Sequence, residues 1–184
     1  MKIAIIGAGL YGAYFADMLS ENKKFSIDLY DKRKSILSST AKKNQYRLHI
    51  GYHYPRSKET TLQTIRGFSL FKKRFKKFLY FPKKNYYLVH EKSLINFQKY
   101  LKIYNKFGLK FKTISLNKYS NFVNYEQISG CINTEEGVIL IDRLIPYLRK
   151  KLEKNTEVHK GIEIDRIDNV NGYIYSRKKK IKKY

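Results

Sequence analysis

Three glycines and one aspartate near the amino terminus have the types and spacing needed to hold a diphosphate and a sugar. Gly7, Gly9 and Gly12 form a Gly-x-Gly-x-x-Gly motif, and Asp31 follows Gly12 by 19 residues. Glycines let the backbone turn tightly and approach a phosphate, and the free N–H groups of a following helix attract its charge. A carboxylate about 20 residues further on accepts hydrogen bonds from ribose hydroxyls. The pattern predicts a dinucleotide site.

The elements that must position these residues are a strand, a helix and a second strand. Residues 2–6 are apolar and rich in β-branched side chains, which is typical of a buried parallel strand. An apolar helical pattern follows the motif, and residues 26–30 form a second strand pattern that stops at Asp31. This context makes the glycine motif much more specific than it is alone. The site is expected to include the motif's other residues and the neighbours of the acid: Ala8, Leu10, Tyr11, Lys32 and Arg33.

A second polar stretch, residues 44–57, concentrates histidine, arginine, tyrosine and amide side chains. So much hydrogen-bonding capacity favours a binding site over packing alone. His49 is a candidate donor or proton acceptor, although a histidine satisfied by backbone groups is the plain alternative. Arg47 is a candidate partner for a substrate carboxylate, unless it points outward. These two residues are the predicted catalytic pair.

The two histidines of this stretch, His49 and His53, are four residues apart, which is a metal-ligand spacing on a helix. Gly51 and Pro55 lie within the segment and indicate a strand and turn instead. No metal site is therefore expected.

Length and composition exclude several classes of protein. The chain has 184 residues, 42% of them hydrophobic, a net charge of +24 and one cysteine, Cys131. It can bury a core, contains no uncharged apolar run long enough to cross a bilayer, and cannot form an internal disulfide. A cytoplasmic location is expected. The charge suits an acidic small-molecule substrate or a nucleic acid, but it is mostly lysine in a chain also rich in Asn, Ile and Tyr, and such a bias needs no function.

Two motifs together resemble a known family. They are Gly7-x-Gly9-x-x-Gly12 with Asp31, and Asn44-x-x-x-Leu48-His49-x-Gly51-x-x-Tyr54-Pro55. They are similar to the FAD-dependent oxidoreductases of the D-amino-acid oxidase superfamily, and most similar to the branch that contains L-2-hydroxyglutarate oxidase. The resemblance implies FAD as cofactor and an α/β fold, in which a Rossmann-type FAD-binding domain accompanies part of a smaller α+β substrate lobe.

The resemblance also implies roles for individual residues. The glycines and Asp31 would bind the ADP half of FAD, and the small polar loop after them would line the cofactor. The residues expected in that loop and near the flavin are Ser39, Thr40, Asn44, Gln45, Leu48 and His49. Tyr46 stands where relatives usually have glycine. The implied reaction passes a hydride to the flavin from a C–H bond beside an amine or hydroxyl, in a small amine or hydroxy-acid substrate.

The rest of the chain predicts the lobe and the return to the first domain. Residues 1–80 and 130–184 are expected in the FAD-binding domain and 81–129 in the inserted lobe. Residues 57–79 predict an amphipathic helix with a core-facing phenylalanine stripe. Ser93 and Asp142 are expected helix N-caps, and 177–184 is expected to be a frayed basic tail. The adjacent Glu135 and Glu136 would face opposite sides of a strand, so no acid/base dyad is expected.

Other interpretations stay open. The glycines alone would equally suit an NAD-binding Rossmann protein. A flavin-dependent sugar-nucleotide mutase shares the first motif, but its Gly-Gly-Asn signature is replaced here by Ser38-Ser39-Thr40. A basic nucleic-acid-binding module is a further possibility. Members of the resembled family continue well beyond the length of this chain, so it is expected to be a fragment, one part completed by a partner chain, or an incomplete and inactive copy.

Overall fold

The computed structural model describes residues 1–38, 45–115, 124–177 and 179–184. The helices in these ranges are α1 (Leu10–Leu19), α2 (Lys58–Phe75), α3 (Phe97–Lys106) and α4 (Ile141–Asn155). The strands are β1 (Lys2–Ile6), β2 (Ser26–Asp31), β3 (Arg47–Leu48), β4 (Leu79–Tyr80), β5 (Tyr86–His90), β6 (Phe111–Ile114), β7 (Ile128–Thr134), β8 (Gly137–Ile139), β9 (Glu157–Lys160), β10 (Arg166–Asp168), β11 (Tyr173–Ser176) and β12 (Lys179–Lys183). None of these helices combines the length and the apolar character that a bilayer span requires.

The chain forms two compact units, and the first comprises residues 1–46 and 141–184. Its parallel sheet has the order β1-β2-β9, so the strand that ends at Asp31 is central. The predicted strand–helix–strand start is confirmed, with Ile3 paired to Ile27. Helices α1 and α4 pack together through small and branched apolar side chains. The buried members are Ala13, Ala16, Leu144, Ile145, Leu148 and Leu152.

The sequence suggested a frayed basic tail, but this prediction is wrong. The tail forms strand β12 of an antiparallel β10-β11-β12 sheet. Its end is held by the buried carboxylate of Asp28, to which the Tyr184 hydroxyl donates at 2.7 Å and the Lys182 ammonium lies at 2.9 Å. His159 contacts the other carboxylate oxygen at 3.0 Å. A lysine-rich segment is ordered here because a buried carboxylate compensates part of its charge.

The second unit comprises residues 47–140 and contains two antiparallel sheets, β3-β8-β4 and β5-β7-β6. Helix α3 supplies Tyr100 and Tyr104 to a core that also contains Tyr52 and Ile132. The hydroxyls of Tyr100 and Tyr104 each donate to the carbonyl oxygen of Tyr52 at 2.9 Å, so both buried hydroxyls have a hydrogen-bond partner. The free Cys131 is buried in this unit.

The units divide the chain differently from the sequence-based boundaries. Residues 47–80 and 130–140, expected in the FAD-binding domain, belong to the second unit. The reason is strand pairing. Arg47 pairs with Val138 and Leu79 with Ile139, so the segments on both sides of 81–129 meet in one sheet.

Two predicted helix caps are wrong. Helix α3 begins after Asn96, whose side chain accepts the Lys99 N–H at 2.9 Å, and not after Ser93. Asp142 lies inside the first turn of α4, where its charge still suits the positive end of the helix. The start of α2 follows expectation, because Ser57 accepts the Thr60 N–H. Of the predicted phenylalanine stripe, Phe75 and Phe78 are buried.

Candidate functional site

The turn after β1 has the backbone geometry that its glycines predict. Gly7 has φ of +100°, a conformation that L side chains rarely adopt. A Cβ at Gly12 would lie only 1.9 Å from the carbonyl oxygen of Gly7, so only glycine lets α1 pass this close to the strand exit. The Gly7 N–H donates to the Tyr30 carbonyl oxygen at 2.8 Å, which ties the turn to β2.

Asp31 faces this turn from the end of the neighbouring strand. Its Oδ2 accepts the Ala8 N–H at 2.8 Å, and its Oδ1 accepts the Arg33 N–H at 2.7 Å. An ionised carboxylate has about four acceptor positions, so each oxygen can still accept a ligand hydroxyl. The acid therefore both fixes the turn and presents an acceptor beside it.

Helix α1 begins at Leu10, after an extended Gly9 that provides no side-chain cap. The N–H groups of a first helical turn have no acceptor within the helix, and here they are available to an anion. The Tyr11 side chain is 91% exposed and points to solvent, so this residue offers its backbone.

A cleft of about 240 Å³ lies beside Asp31, lined also by Gly7, Lys32, Arg33 and residues 162–164. The Lys32 ammonium reaches Glu163 at 3.0 Å. Because small-molecule pockets commonly measure about 300–1,000 Å³, this cleft suits one part of a dinucleotide, such as a sugar, better than the whole.

The loop after the acid covers the glycine turn. The Leu37 N–H donates to the Ala8 carbonyl oxygen at 2.7 Å. Arg149 of α4 donates to the Ile36 carbonyl oxygen at 2.9 Å and to the Ser35 hydroxyl at 3.0 Å. Arg149 is thus a structural support that the sequence analysis missed. Three predicted cofactor residues further along the loop, Ser39, Thr40 and Asn44, lie outside the described residues; Gln45 is exposed in the first unit.

The second unit contains a separate polar cluster around Glu136, whose side chain is fully buried. Its Oε2 accepts from His49 Nδ1 at 3.0 Å, from Arg47 at 3.3 Å and from the Tyr87 hydroxyl. Its Oε1 accepts the Ile50 N–H at 2.6 Å. The structure thus brings both predicted catalytic residues to one carboxylate, while Leu48 pairs with Gly137 in the adjoining strands.

Glu135 and Glu136 lie on opposite sides, with Glu135 exposed and Glu136 buried, so they form no dyad with each other, as expected. The sequence did not predict that Glu136 would contact His49. Only pairing of β3 with β8 brings these residues together across 87 positions. The one signal of this contact in the sequence was Glu136 itself, a carboxylate at a position that faces the core.

The charges of the cluster follow from these contacts. Burial raises the pKa of Glu136, but hydrogen bonds from His49, Tyr87 and the Ile50 N–H outweigh it, so the pKa lies below its ordinary value and the carboxylate is ionised. Burial and the bond to Glu136 raise the pKa of Tyr87, which stays a donor.

Arg47 and His53 complete the surroundings of this cluster. The same nitrogen of Arg47 that reaches Glu136 donates to the Asn85 side chain at 2.6 Å. Within the described part of the chain, the other guanidinium N–H groups have no acceptor. The His53 ring packs against His49, with centroids 4.2 Å apart. Burial lowers the pKa of His53, and the adjacent His49 lowers it further, so His53 is neutral at neutral pH.

A glycine-rich turn, an uncapped helix start and an acid on the adjacent strand define a dinucleotide-binding protein of the Rossmann type. The family model for FAD-dependent oxidoreductases, DAO, matches residues 2–182. The chain belongs to this family. The predicted fold class and the FAD cofactor are thereby confirmed.

Individual relatives agree with this assignment. The chain is 27% identical over 162 residues to the FAD-dependent monooxygenase FPY4 of Fusarium mangiferae, covering 88% of this chain and 42% of that protein. Glycine oxidase from Bacillus cereus superimposes with a TM-score of 0.73 at 17% identity, covering 98% of this chain and 52% of that one. L-α-Glycerophosphate oxidase from Mycoplasma pneumoniae with FAD bound gives 0.74 at 19%, covering 97% and 50%. The chain spans about half the length of these relatives.

Proposed function

We propose that this chain holds FAD in its first unit and contributes to the oxidation of a small hydroxy acid or amine. The observation that carries the proposal is the contact of Asp31 with the glycine turn. The same carboxylate that accepts the Ala8 N–H lines the neighbouring cleft. In this arrangement the uncapped start of α1 would hold the diphosphate and Asp31 would hold the ribose, with Lys32 and Arg33 at the cleft.

FAD, when bound, supplies an acceptor for a hydride from the substrate. The protein's own part is to bind and orient the substrate and to take up the proton that the hydroxyl or amine releases. His49 is the proposed proton acceptor, and the free N–H groups of Arg47 are the proposed partners of a substrate carboxylate.

The substrate class is supported by charge and by similarity. A cleft of about 520 Å³ in the second unit is lined by four lysines and one carboxylate: Lys72, Lys83, Lys110, Lys112 and Glu135. The excess of positive charge favours an anionic small molecule. The names of two similar structures indicate glycine, an amine, and L-α-glycerophosphate, which has hydroxyls. The motif from Asn44 to Pro55 supports the finer proposal of the L-2-hydroxyglutarate oxidase branch. A cytoplasmic location stays a prediction.

The test is to titrate the purified protein with FAD and, separately, with NADH. Bound flavin should show a shifted visible spectrum and quenched fluorescence, with tight binding of FAD and none of NADH. Anaerobic addition of 2-hydroxy acids, including 2-hydroxyglutarate, and of amino acids should then bleach the flavin for one class. Binding of NADH without FAD would contradict the proposal, and bleaching by neither class would contradict its substrate part.

A further inference from the structure

The contacts of Glu136 determine which nitrogen of His49 carries the proton. An ionised carboxylate can only accept hydrogen bonds. Its Oε2 lies 3.0 Å from His49 Nδ1, so Nδ1 must be the protonated nitrogen of the neutral ring. The Tyr87 hydroxyl does not oppose this. It donates its own hydrogen to Glu136 and keeps a lone pair toward the same Nδ1, at 3.1 Å.

The other nitrogen, Nε2, then carries the lone pair. Within the described ranges, no hydrogen bond to Nε2 is formed. The His49 side chain is 27% exposed, whereas the Glu136 side chain is fully buried. An imidazole oriented in this way can accept a proton at one defined atom.

We propose that Glu136 is the positioning residue that holds His49 as the Nδ1–H tautomer and makes Nε2 the proton acceptor. Glu136 also favours the charged ring that forms when the proton arrives, because a carboxylate 3.0 Å away stabilises an imidazolium. The role of Glu136 in catalysis rests on the proposed function. The assignment of the His49 tautomer does not depend on it.

The O–H or N–H proton of the substrate would move to Nε2. Bound FAD would supply the acceptor for the hydrogen of the adjacent C–H bond and its two electrons, so that a C=O or C=N bond forms. The other groups that face His49 fit this step. Arg47 compensates the negative charge of Glu136, and Tyr87 remains protonated. His53 remains neutral, so it does not replace His49 as the charged partner of Glu136.

The Glu136→Gln substitution tests the assignment with little change of shape. In the orientation where the amide oxygen keeps the Ile50 N–H, an NH₂ group faces His49, the Tyr87 hydroxyl turns to accept from it, and Arg47 keeps its bond to Asn85. Nδ1 then accepts and Nε2 carries the proton, so the acceptor is lost. Glu135→Gln, at the adjacent exposed position, is the matched control.

The first measurement needs no flavin. Long-range ¹H–¹⁵N NMR of the protein, at a pH where the imidazole is neutral, should identify Nδ1 as the protonated nitrogen of His49 in wild type and in Glu135→Gln. The tautomer should reverse in Glu136→Gln. Finding the Nε2–H tautomer in wild type would overturn the proposal, and so would an unchanged tautomer in Glu136→Gln. Tyr87→Phe should keep the wild-type tautomer; a reversal there would assign the role to Tyr87.

The wild-type spectrum decides the tautomer even if Glu136→Gln does not fold. The second measurement uses flavin-loaded protein and a substrate that bleaches it. Glu136→Gln should lower kcat at least about 100-fold with little change in KM. Unchanged kinetics with a reversed tautomer would refute the catalytic role alone. If no substrate is found, the proposed function fails while the NMR result stands.

Discussion

Asp31 and Ala8 are joined by a hydrogen bond of 2.8 Å between a carboxylate oxygen and a backbone N–H, although they lie 23 residues apart. The bond locks the glycine turn to the end of β2. Asp31 thus organises this turn, and under the proposed function it also offers an acceptor to the ribose of FAD.

Replacement of Asp31 by asparagine should weaken both functions. Asparagine has one acceptor oxygen, so its amide would face either the Ala8 or the Arg33 N–H. We expect a loss of about 1–3 kcal/mol in the free energy of unfolding and FAD binding weakened about tenfold or more. Urea unfolding and flavin fluorescence titration measure the two effects. The exposed Asp142→Asn, at the start of α4, should cost only about 0.5 kcal/mol, and equal effects of the two substitutions would contradict this role of Asp31.

The Gly12→Ala substitution should displace helix α1 from β1. Its methyl group would overlap the Gly7 carbonyl oxygen, and backbone cannot move aside cheaply. We expect at least about 1–3 kcal/mol of destabilisation and loss of FAD binding. The control is Gly67→Ala in α2, where a Cβ meets nothing within 4 Å; it should stabilise the protein by about 0.5–1 kcal/mol. Thermal unfolding of both variants, followed by circular dichroism, would reveal the opposite signs.

A buried ion pair joins helices α1 and α4. The Lys151 ammonium lies 2.7 Å from the fully buried carboxylate of Asp17. Burial alone would lower the pKa of Lys151, but the bond to Asp17 raises it, so the lysine is charged. Lys151→Met should cost about 3 kcal/mol because it removes the cation beside the buried carboxylate of Asp17. The double variant Asp17→Leu with Lys151→Met should recover most of that loss in urea unfolding; additive losses would show that the two charges are not coupled.

Stability should fall in acid partly because of Asp28. Burial raises its pKa, but hydrogen bonds from Lys182, His159 and Tyr184 lower it from 3.8 to about 2. The unfolded chain therefore binds the proton first. The resulting stabilisation, about 2 kcal/mol, is complete above pH 3.8 and is lost as the pH falls through about 2.

The comparison of wild type with Asp28→Asn isolates this carboxylate. The variant should be less stable at neutral pH, and its difference from wild type should shrink below pH 3.8. Urea unfolding at several pH values measures the difference. A difference that stays constant down to pH 2 would mean that packing, and not the charge of Asp28, is responsible.

One departure from the family pattern has a visible structural consequence. Tyr46, where relatives usually have glycine, adopts φ of +54°. This left-handed conformation favours glycine because a Cβ crowds the backbone there. The backbone thus keeps the conformation expected of the glycine, at a cost in strain.

The sequence by itself determined the first strand, the helix and the second strand. It also determined the glycine turn and Asp31, the acid at the end of the second strand. These features depend on residues within 31 positions of one another, where hydrophobic period, glycine and capping residues act locally. The FAD family followed from two short motifs for the same reason.

Only the tertiary structure decided the partners of the polar residues. Glu136 reaches His49 across 87 positions, Tyr184 reaches Asp28 across 156, and Arg149 reaches the loop after β2 across more than 100. Strand pairing and helix packing create these contacts, and no local pattern specifies which strand a carboxylate will face. The same long-range pairing turned a basic tail into strand β12 and moved the boundary between the units.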